Sequence, residues 1–142
     1  MRAIYLTENY PYIRKNCVEK NKKTILFLED EEELLATVEN LLNDQGYNVV
    51  TVKRAEEALE LVRKSPPDLI LADIKLPGMD GFDFFTEVQK LPEVSKTPFV
   101  YLTAFNDMNA MLYAKRQGAA EYITKPFDFE YLLLRIKDLL TP

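Results

Sequence analysis

The chain has no histidine and no tryptophan among its 142 residues, one cysteine, and four glycines. Without histidine it cannot build a Ser-His-Asp or Cys-His catalytic set, or a His-ligated zinc site. It cannot carry a phosphohistidine of its own either. The lone Cys17 has no internal partner for a disulfide, which suits a cytoplasmic setting. No apolar run approaches the roughly 18 residues of a membrane span. Residues 1–23 place Arg, Glu, Asn and Tyr where a secretory signal would be apolar. Neither membrane insertion nor secretion is expected.

Positive charge is scarce outside one end. Residues 1–23 hold six basic and two acidic side chains; the whole chain is −5, so residues 24–142 carry −9. An acidic body of that kind argues against direct nucleic-acid binding. The chain is 47% hydrophobic, enough to fill the single core that one domain's length supports.

From residue 24 onward, strand and helix patterns alternate five times. Thr24-Ile25-Leu26-Phe27-Leu28 is a short apolar run, as expected of a strand buried on both faces. Residues 31–45 follow, with Leu34, Leu35, Val38, Leu41 and Leu42 on one helical face and Gly46 as the stop. Residues 47–52 read as a second strand. Ala55, Ala58, Leu59 and Val62 mark a second helix, ended by Ser65-Pro66-Pro67. Residues 68–73 form a third strand, and a loop containing Pro77-Gly78 and Gly81 leads to a helix carrying Phe82, Phe85 and Val88. Residues 98–103 are the fourth strand, 106–117 the fourth helix, and 121–124 the fifth strand. Asp128 caps a last helix whose inner face is Phe129, Leu132, Leu133, Ile136 and Leu140. Such alternation predicts a single doubly wound α/β sheet, parallel, with helices on both faces. The expected organisation is an extension over 1–23 and one domain over 24–142. No output domain is expected within this length.

In parallel sheets of this kind ligands bind outside the carboxyl ends of the strands. Glu29 and Asp30 follow the first strand and Asp73 the third; Thr103 ends the fourth, and the fifth runs into Lys125-Pro126. Each has a bland reading alone: acidic pairs cap helices, and strand-end Asp residues serve turns. Together they place three carboxylates, a hydroxyl and an amine at one edge. Unit charges about 4 Å apart repel by roughly 4 kcal/mol at an effective dielectric of 20, so the carboxylates call for a cation. Oxygen donors without His or Cys point to Mg²⁺, with Mn²⁺ a possible substitute. Asp73 could then attack phosphorus to give an acyl phosphate. Lys125 and Thr103 would each meet a phosphoryl oxygen.

Glu29-Asp30, then Asp73-Ile74-Lys75-Leu76-Pro77-Gly78-Met79-Asp80-Gly81, then Leu102-Thr103-Ala104, then Lys125-Pro126-Phe127 resembles the receiver domain of two-component response regulators. The similarity covers about residues 22–140. It implies a flavodoxin-like (βα)5 fold with strand order 2-1-3-4-5, and Asp73 as phospho-acceptor. It implies Mg²⁺ held by Asp30, Asp73 and the backbone carbonyl of Lys75, with Glu29 acting through water. Lys125 would pair with the phosphoryl group, across a cis bond to Pro126. Thr103 and Tyr122 match the family's switch pair. The implied partners are a sensor histidine kinase or histidine phosphotransfer protein, and a downstream protein or output domain. A homodimer through the fourth helix, fifth strand and fifth helix is a further implication, with Lys115, Arg116, Glu121 and Arg135 as its charges. One departure is Glu29, where the family more often has aspartate.

Other readings fit less well. A dehalogenase-type, Mg²⁺-dependent aspartyl phosphatase wants an acid two residues past its nucleophile, where Lys75 stands. A flavin-binding module needs a phosphate-cradling loop after the first strand, and Glu29 to Glu33 are all acidic. A degenerate receiver acting only as an interaction module would lack an acid or the lysine. Phe82, Phe84 and Phe85 could line a ligand site, but core packing is the expectation. Tyr5, Tyr10 and Tyr12 could dock on a partner or belong to a loose tail. The extension carries no rim residue and is expected to be dispensable for phosphorylation.

Overall fold

The computed structural model describes residues 22–142. Cys17, Tyr5, Tyr10, Tyr12 and the expectations attached to the extension lie outside them. The described chain forms five parallel strands: β1 (Thr24–Leu28), β2 (Asn48–Val52), β3 (Leu69–Ala72), β4 (Phe99–Thr103) and β5 (Glu121–Thr124). Their order is β2-β1-β3-β4-β5, as the resemblance implied. Five helices follow the strands in turn: α1 (Glu32–Asp44), α2 (Ala55–Lys64), α3 (Gly81–Gln89), α4 (Met108–Gln117) and α5 (Phe129–Leu140). None is long and apolar enough to cross a membrane.

Alternation along the strands splits the core. Ile25 and Phe27 of β1 face α1 and α5, joining Leu35, Val38, Leu42, Leu132 and Ile136. Leu26 and Leu28 face the other way, with Ala58 and Val62 of α2 and Phe84, Phe85 and Val88 of α3. Burying both faces explains why the strands read as continuous apolar runs. Each fully buried aliphatic side chain contributes about 1.5–3 kcal/mol.

Two expectations are corrected. The fourth helix starts at Met108, not at residue 106, because the Asp107 carboxylate accepts the Asn109 N–H at 2.7 Å and caps the helix there. On α3 the buried aromatics are Phe84 and Phe85, while Phe82 is only half-buried. Phe82 instead sits edge-on to Tyr101 and Tyr113, with centroids 5.5 and 5.1 Å away. The helix start at Gly81 sets that phase.

α4 is anchored differently from the other helices. Its buried residues are two alanines, Ala110 and Ala114. Polar contacts supplement them. Gln117 Nε2 donates to Thr86 Oγ1 at 3.1 Å, and Gln89 Nε2 donates to the Gln117 carbonyl at 2.5 Å. From β4, the fully buried Tyr101 donates its hydroxyl to Gln117 Oε1 at 3.2 Å. Burial pushes the Tyr101 hydroxyl pKa up, with the Asp80 charge adding to it, so it remains a donor. Tyr101→Phe is expected to destabilise the fold by about 0.5–1.5 kcal/mol, one net hydrogen bond. Denaturant titration checks this; an unchanged midpoint would mean that Gln117 finds water instead.

Candidate functional site

The sheet register builds the site. Leu28 pairs with Ala72, so the residues after them, Glu29 and Asp73, emerge side by side. The ladder continues one step past each strand: Glu29 N–H donates to Val52 O at 2.9 Å, and Asp73 N–H to Leu28 O at 3.0 Å. On the other side Thr103 pairs with Thr124, and Lys125 N–H donates to Thr103 O at 2.8 Å. Regular strand geometry therefore fixes the backbone beneath all four side chains. The Lys125-Pro126 bond is cis, as the resemblance implied.

Lys125 Nζ lies 2.6 Å from Glu29 Oε1 and 3.1 Å from Asp73 Oδ2. Glu29 is 1% exposed and Asp73 6%. The remaining Glu29 oxygen accepts the Glu31 N–H at 3.1 Å, and Asp73 Oδ1 accepts the Ile74 N–H at 2.6 Å. Among the described residues, no buried side-chain polar atom lacks a partner. Burial pushes the Glu29 carboxyl above its usual range, against the pull of the Lys125 ammonium and the Glu31 N–H. Burial also disfavours the Lys125 charge, but the hydrogen bond to Glu29 and the nearby Asp73 charge outweigh it and raise that pKa. Lys125 is therefore an ammonium at neutral pH.

Asp30, exposed at the rim, completes an acidic trio. Glu29, Asp30 and Asp73 each offer a carboxylate oxygen, all within 4.8 Å of one another. This donor set fits a hard divalent cation such as Mg²⁺. Of the expected site residues, Asp73, Glu29, Asp30 and Lys125 thus come together directly.

Thr103 is fully buried at the same edge, where its Oγ1 accepts the Phe105 N–H at 3.2 Å. The Tyr122 ring is already turned inward, 8% exposed, and its hydroxyl donates to the Phe105 carbonyl. The switch pair that the resemblance implies would have Tyr122 turn inward on phosphorylation; here the ring starts inward. A carbonyl acceptor and the Tyr101 ring, 5.8 Å away centre to centre, stabilise the inward rotamer. Lys75 points its ammonium over the Phe105 ring, 4.7 Å from the centroid. The two flank a pocket of about 570 Å³ with Ile74, Leu76, Asp80 and Phe82. Phe105 was not singled out from the sequence. Its backbone does the work, and backbone acceptors leave no residue-type signal.

The expected dimer charges are partly used within the chain. Arg135 Nε donates to Glu121 Oε2 at 2.7 Å and Nη1 to Asp138 at 3.3 Å. Of Lys115, Arg116, Glu121 and Arg135, the last two are thus paired with each other within the chain.

The fold and this site place the chain among doubly wound α/β domains that carry an acidic, lysine-bridged cluster at the carboxyl edge of the sheet. The chain matches the response regulator receiver domain over residues 25–137, and it belongs to that family. It is 35% identical over 123 residues to the probable transcriptional regulator ycf27 of Cyanophora paradoxa, covering 87% of this chain and 50% of that one. It is 32% identical to protein PilH of Pseudomonas aeruginosa, covering 82% and 96% respectively. The non-phosphorylated HemR receiver domain from Leptospira biflexa superposes with a TM-score of 0.79 at 34% identity, over 85% of this chain and 96% of that one. The chain spans about half the length of the ycf27 relative.

Proposed function

We propose that Asp73 accepts a phosphoryl group from a phosphohistidine on a sensor histidine kinase or histidine phosphotransfer protein. One observation carries this reading. The Asp73 carboxylate lies 3.1 Å from the Lys125 ammonium and offers an oxygen within 4.8 Å of those of Glu29 and Asp30, with which it can hold a cation. An Asp73 oxygen attacks phosphorus, the P–N bond to the partner's imidazole breaks, and that nitrogen takes up a proton. The product is an acyl phosphate on Asp73 and a neutral histidine on the partner. No separate substrate is turned over, so the domain is not an enzyme in the usual sense. A cytoplasmic location suits a donor of this kind.

Asp30, Asp73 and the Lys75 carbonyl would hold Mg²⁺, with Glu29 acting through water. Bound there, it would neutralise the crowded carboxylates and the phosphoryl oxygens. Incubation with acetyl phosphate and Mg²⁺ should label the chain stoichiometrically with acid-labile phosphate. Steady hydrolysis of a phosphomonoester would favour an aspartyl phosphatase instead. Asp30→Ala is expected to weaken Mg²⁺ binding at least about tenfold, or about 1.4 kcal/mol, by calorimetry. A change within about twofold would place the metal elsewhere.

The signal would leave through Phe105. Thr103 accepts its N–H and Tyr122 donates to its carbonyl. Phosphorylation adds nearly two negative charges. If Thr103 swings its hydroxyl to a phosphoryl oxygen, it releases the Phe105 N–H and alters the Tyr122 seat. α4, held by two alanines and a few polar contacts, is the adjacent element best able to shift. The output partner would read the α4–β5–α5 face, which could also pair two copies. Adding beryllofluoride and Mg²⁺ should shift the Tyr122 ring resonances and raise the apparent mass. An unmoved ring rejects the switch; an unchanged mass rejects only the dimer.

A further inference from the structure

Toward the amino ends of the strands, away from the acidic rim, lies a small apolar groove that nothing among the described residues fills. β2 is an edge strand. Its Val50 pairs in register with Leu26 of β1, and the two form one wall. Leu61 and Val62 of α2, with Ser65 and Pro67 after it, form the other, and Thr24 stands at the lip. The groove holds about 90 Å³. Val50 and Leu61, on its opposite walls, are only half-buried. Apart from the Thr24 and Ser65 hydroxyls, the side chains lining it are apolar. Such a space suits one branched aliphatic side chain, being smaller than the ~150 Å³ apolar cavity that accepts benzene.

We propose that the chain's own amino-terminal segment, residues 1–21, folds back over this groove and seats an aliphatic side chain of residues 13–18 between β2 and α2. The described chain begins at the groove's lip. Asn48 N–H donates to Lys23 O at 2.9 Å, and Thr24 N–H to Asp68 Oδ2 at 2.7 Å. Whatever precedes Lys22 is therefore tethered beside the opening, at an effective concentration of roughly millimolar. Ile13 and Val18 are the segment's aliphatic residues nearest to Thr24 in sequence, with Arg14, Lys15 and Lys20 around them. Ten extended residues span up to about 33–36 Å, so reach limits neither. Charge favours the contact: residues 1–23 carry +4 and residues 24–142 carry −9. Glu57, one helical turn before Leu61, and Glu60 are exposed and have no ion pair among the described residues. Arg63 and Lys64 would repel the segment, which places its basic side chains on the Glu57 side of Leu61. Attraction of this kind acts within a Debye length of about 8 Å at physiological salt. The contact covers the half-exposed edge of the sheet and leaves the carboxyl-edge site open.

Cys17 is the chain's one cysteine, so a nitroxide can be attached within the segment without any substitution. In the isotope-labelled full chain it should broaden the amide resonances of Leu26, Val50, Leu61 and Ser65. Those of α4 and α5 should stay sharp, with the ascorbate-reduced sample as reference. Ile13→Asp together with Val18→Asp changes only the segment. The pair should weaken docking at least about tenfold, the loss of one buried aliphatic side chain, and the broadening should fall with it. Broadening spread over the acidic surface, or none at all, overturns the proposal. So does broadening at the groove that survives the double substitution. A second copy as occupant is separated by mixing nitroxide-bearing chain without isotope with isotope-labelled chain lacking the nitroxide. Groove broadening as strong in that mixture as in the doubly labelled chain overturns the intrachain contact; its absence there supports it.

Discussion

Asp73→Asn is expected to reduce acid-labile phosphate incorporation to background and to leave the fold intact. The amide is nearly isosteric with the carboxylate, and its oxygen can keep the 2.6 Å bond from the Ile74 N–H. Lys125 retains its shorter contact, to Glu29. Removing one of three clustered carboxylates also relieves repulsion, so stability should change by less than about 1 kcal/mol or rise. The amide is not a nucleophile for phosphorus, and its loss of charge removes one proposed metal ligand. Labelling with acetyl phosphate and Mg²⁺, read beside a melting curve, separates chemistry from folding. Undiminished labelling of a folded variant would sink the assignment. The exposed Asp30 would then be the next carboxylate to replace.

The fold was legible because both faces of its sheet are buried. Runs such as Ile25 to Leu28 and Leu69 to Ala72 are fully apolar and lie between helical patterns of clear period, so element type and sequence agree. The rim was legible for the same reason: the first polar residue after each apolar run is where the strand leaves the core. Thr103, Glu29 and Asp73 are buried polar residues at those exits. Three features were not legible. The phase of α3 depends on a start at Gly81, and Phe82, Phe84 and Phe85 fit more than one phase. The start of α4 depends on which of several polar residues caps it; Asn106 and Asp107 are both good caps, and geometry selects Asp107. The inward seat of Tyr122 depends on the Phe105 carbonyl, an acceptor that every residue possesses. Side-chain pairing across elements, as between Arg135 and Glu121, needs the fold before it can be read.

Gly81→Ala is expected to damage stability and phosphorylation together. A methyl carbon at Gly81 would lie 2.3 Å from the Asp73 carbonyl oxygen and 2.8 Å from the Ile74 Cα. Both obstacles are backbone, so no side-chain rotation relieves them. The Gly81 N–H also donates to Ile74 O at 2.8 Å, tying the first turn of α3 to the residue that follows Asp73. Relief requires α3 to back away, or the 73–74 peptide to turn and carry the Asp73 carboxylate with it. Overpacking of this kind costs about 1–3 kcal/mol, and the unyielding neighbours argue for the upper end. At about 4 °C per kcal/mol, melting should fall by roughly 10 °C. Gly46→Ala is the matched control. Gly46 has φ +95° with nothing within 4 Å of an added methyl. It should lose about 1–2 kcal/mol through backbone conformation alone, with labelling of the folded protein unchanged. If Gly81→Ala melts with the natural protein and labels at the same rate, the close approach of α3 does not position Asp73. If it loses labelling while Gly46→Ala, at a comparable melting point, does not, the defect lies in the geometry of the acceptor rather than in stability.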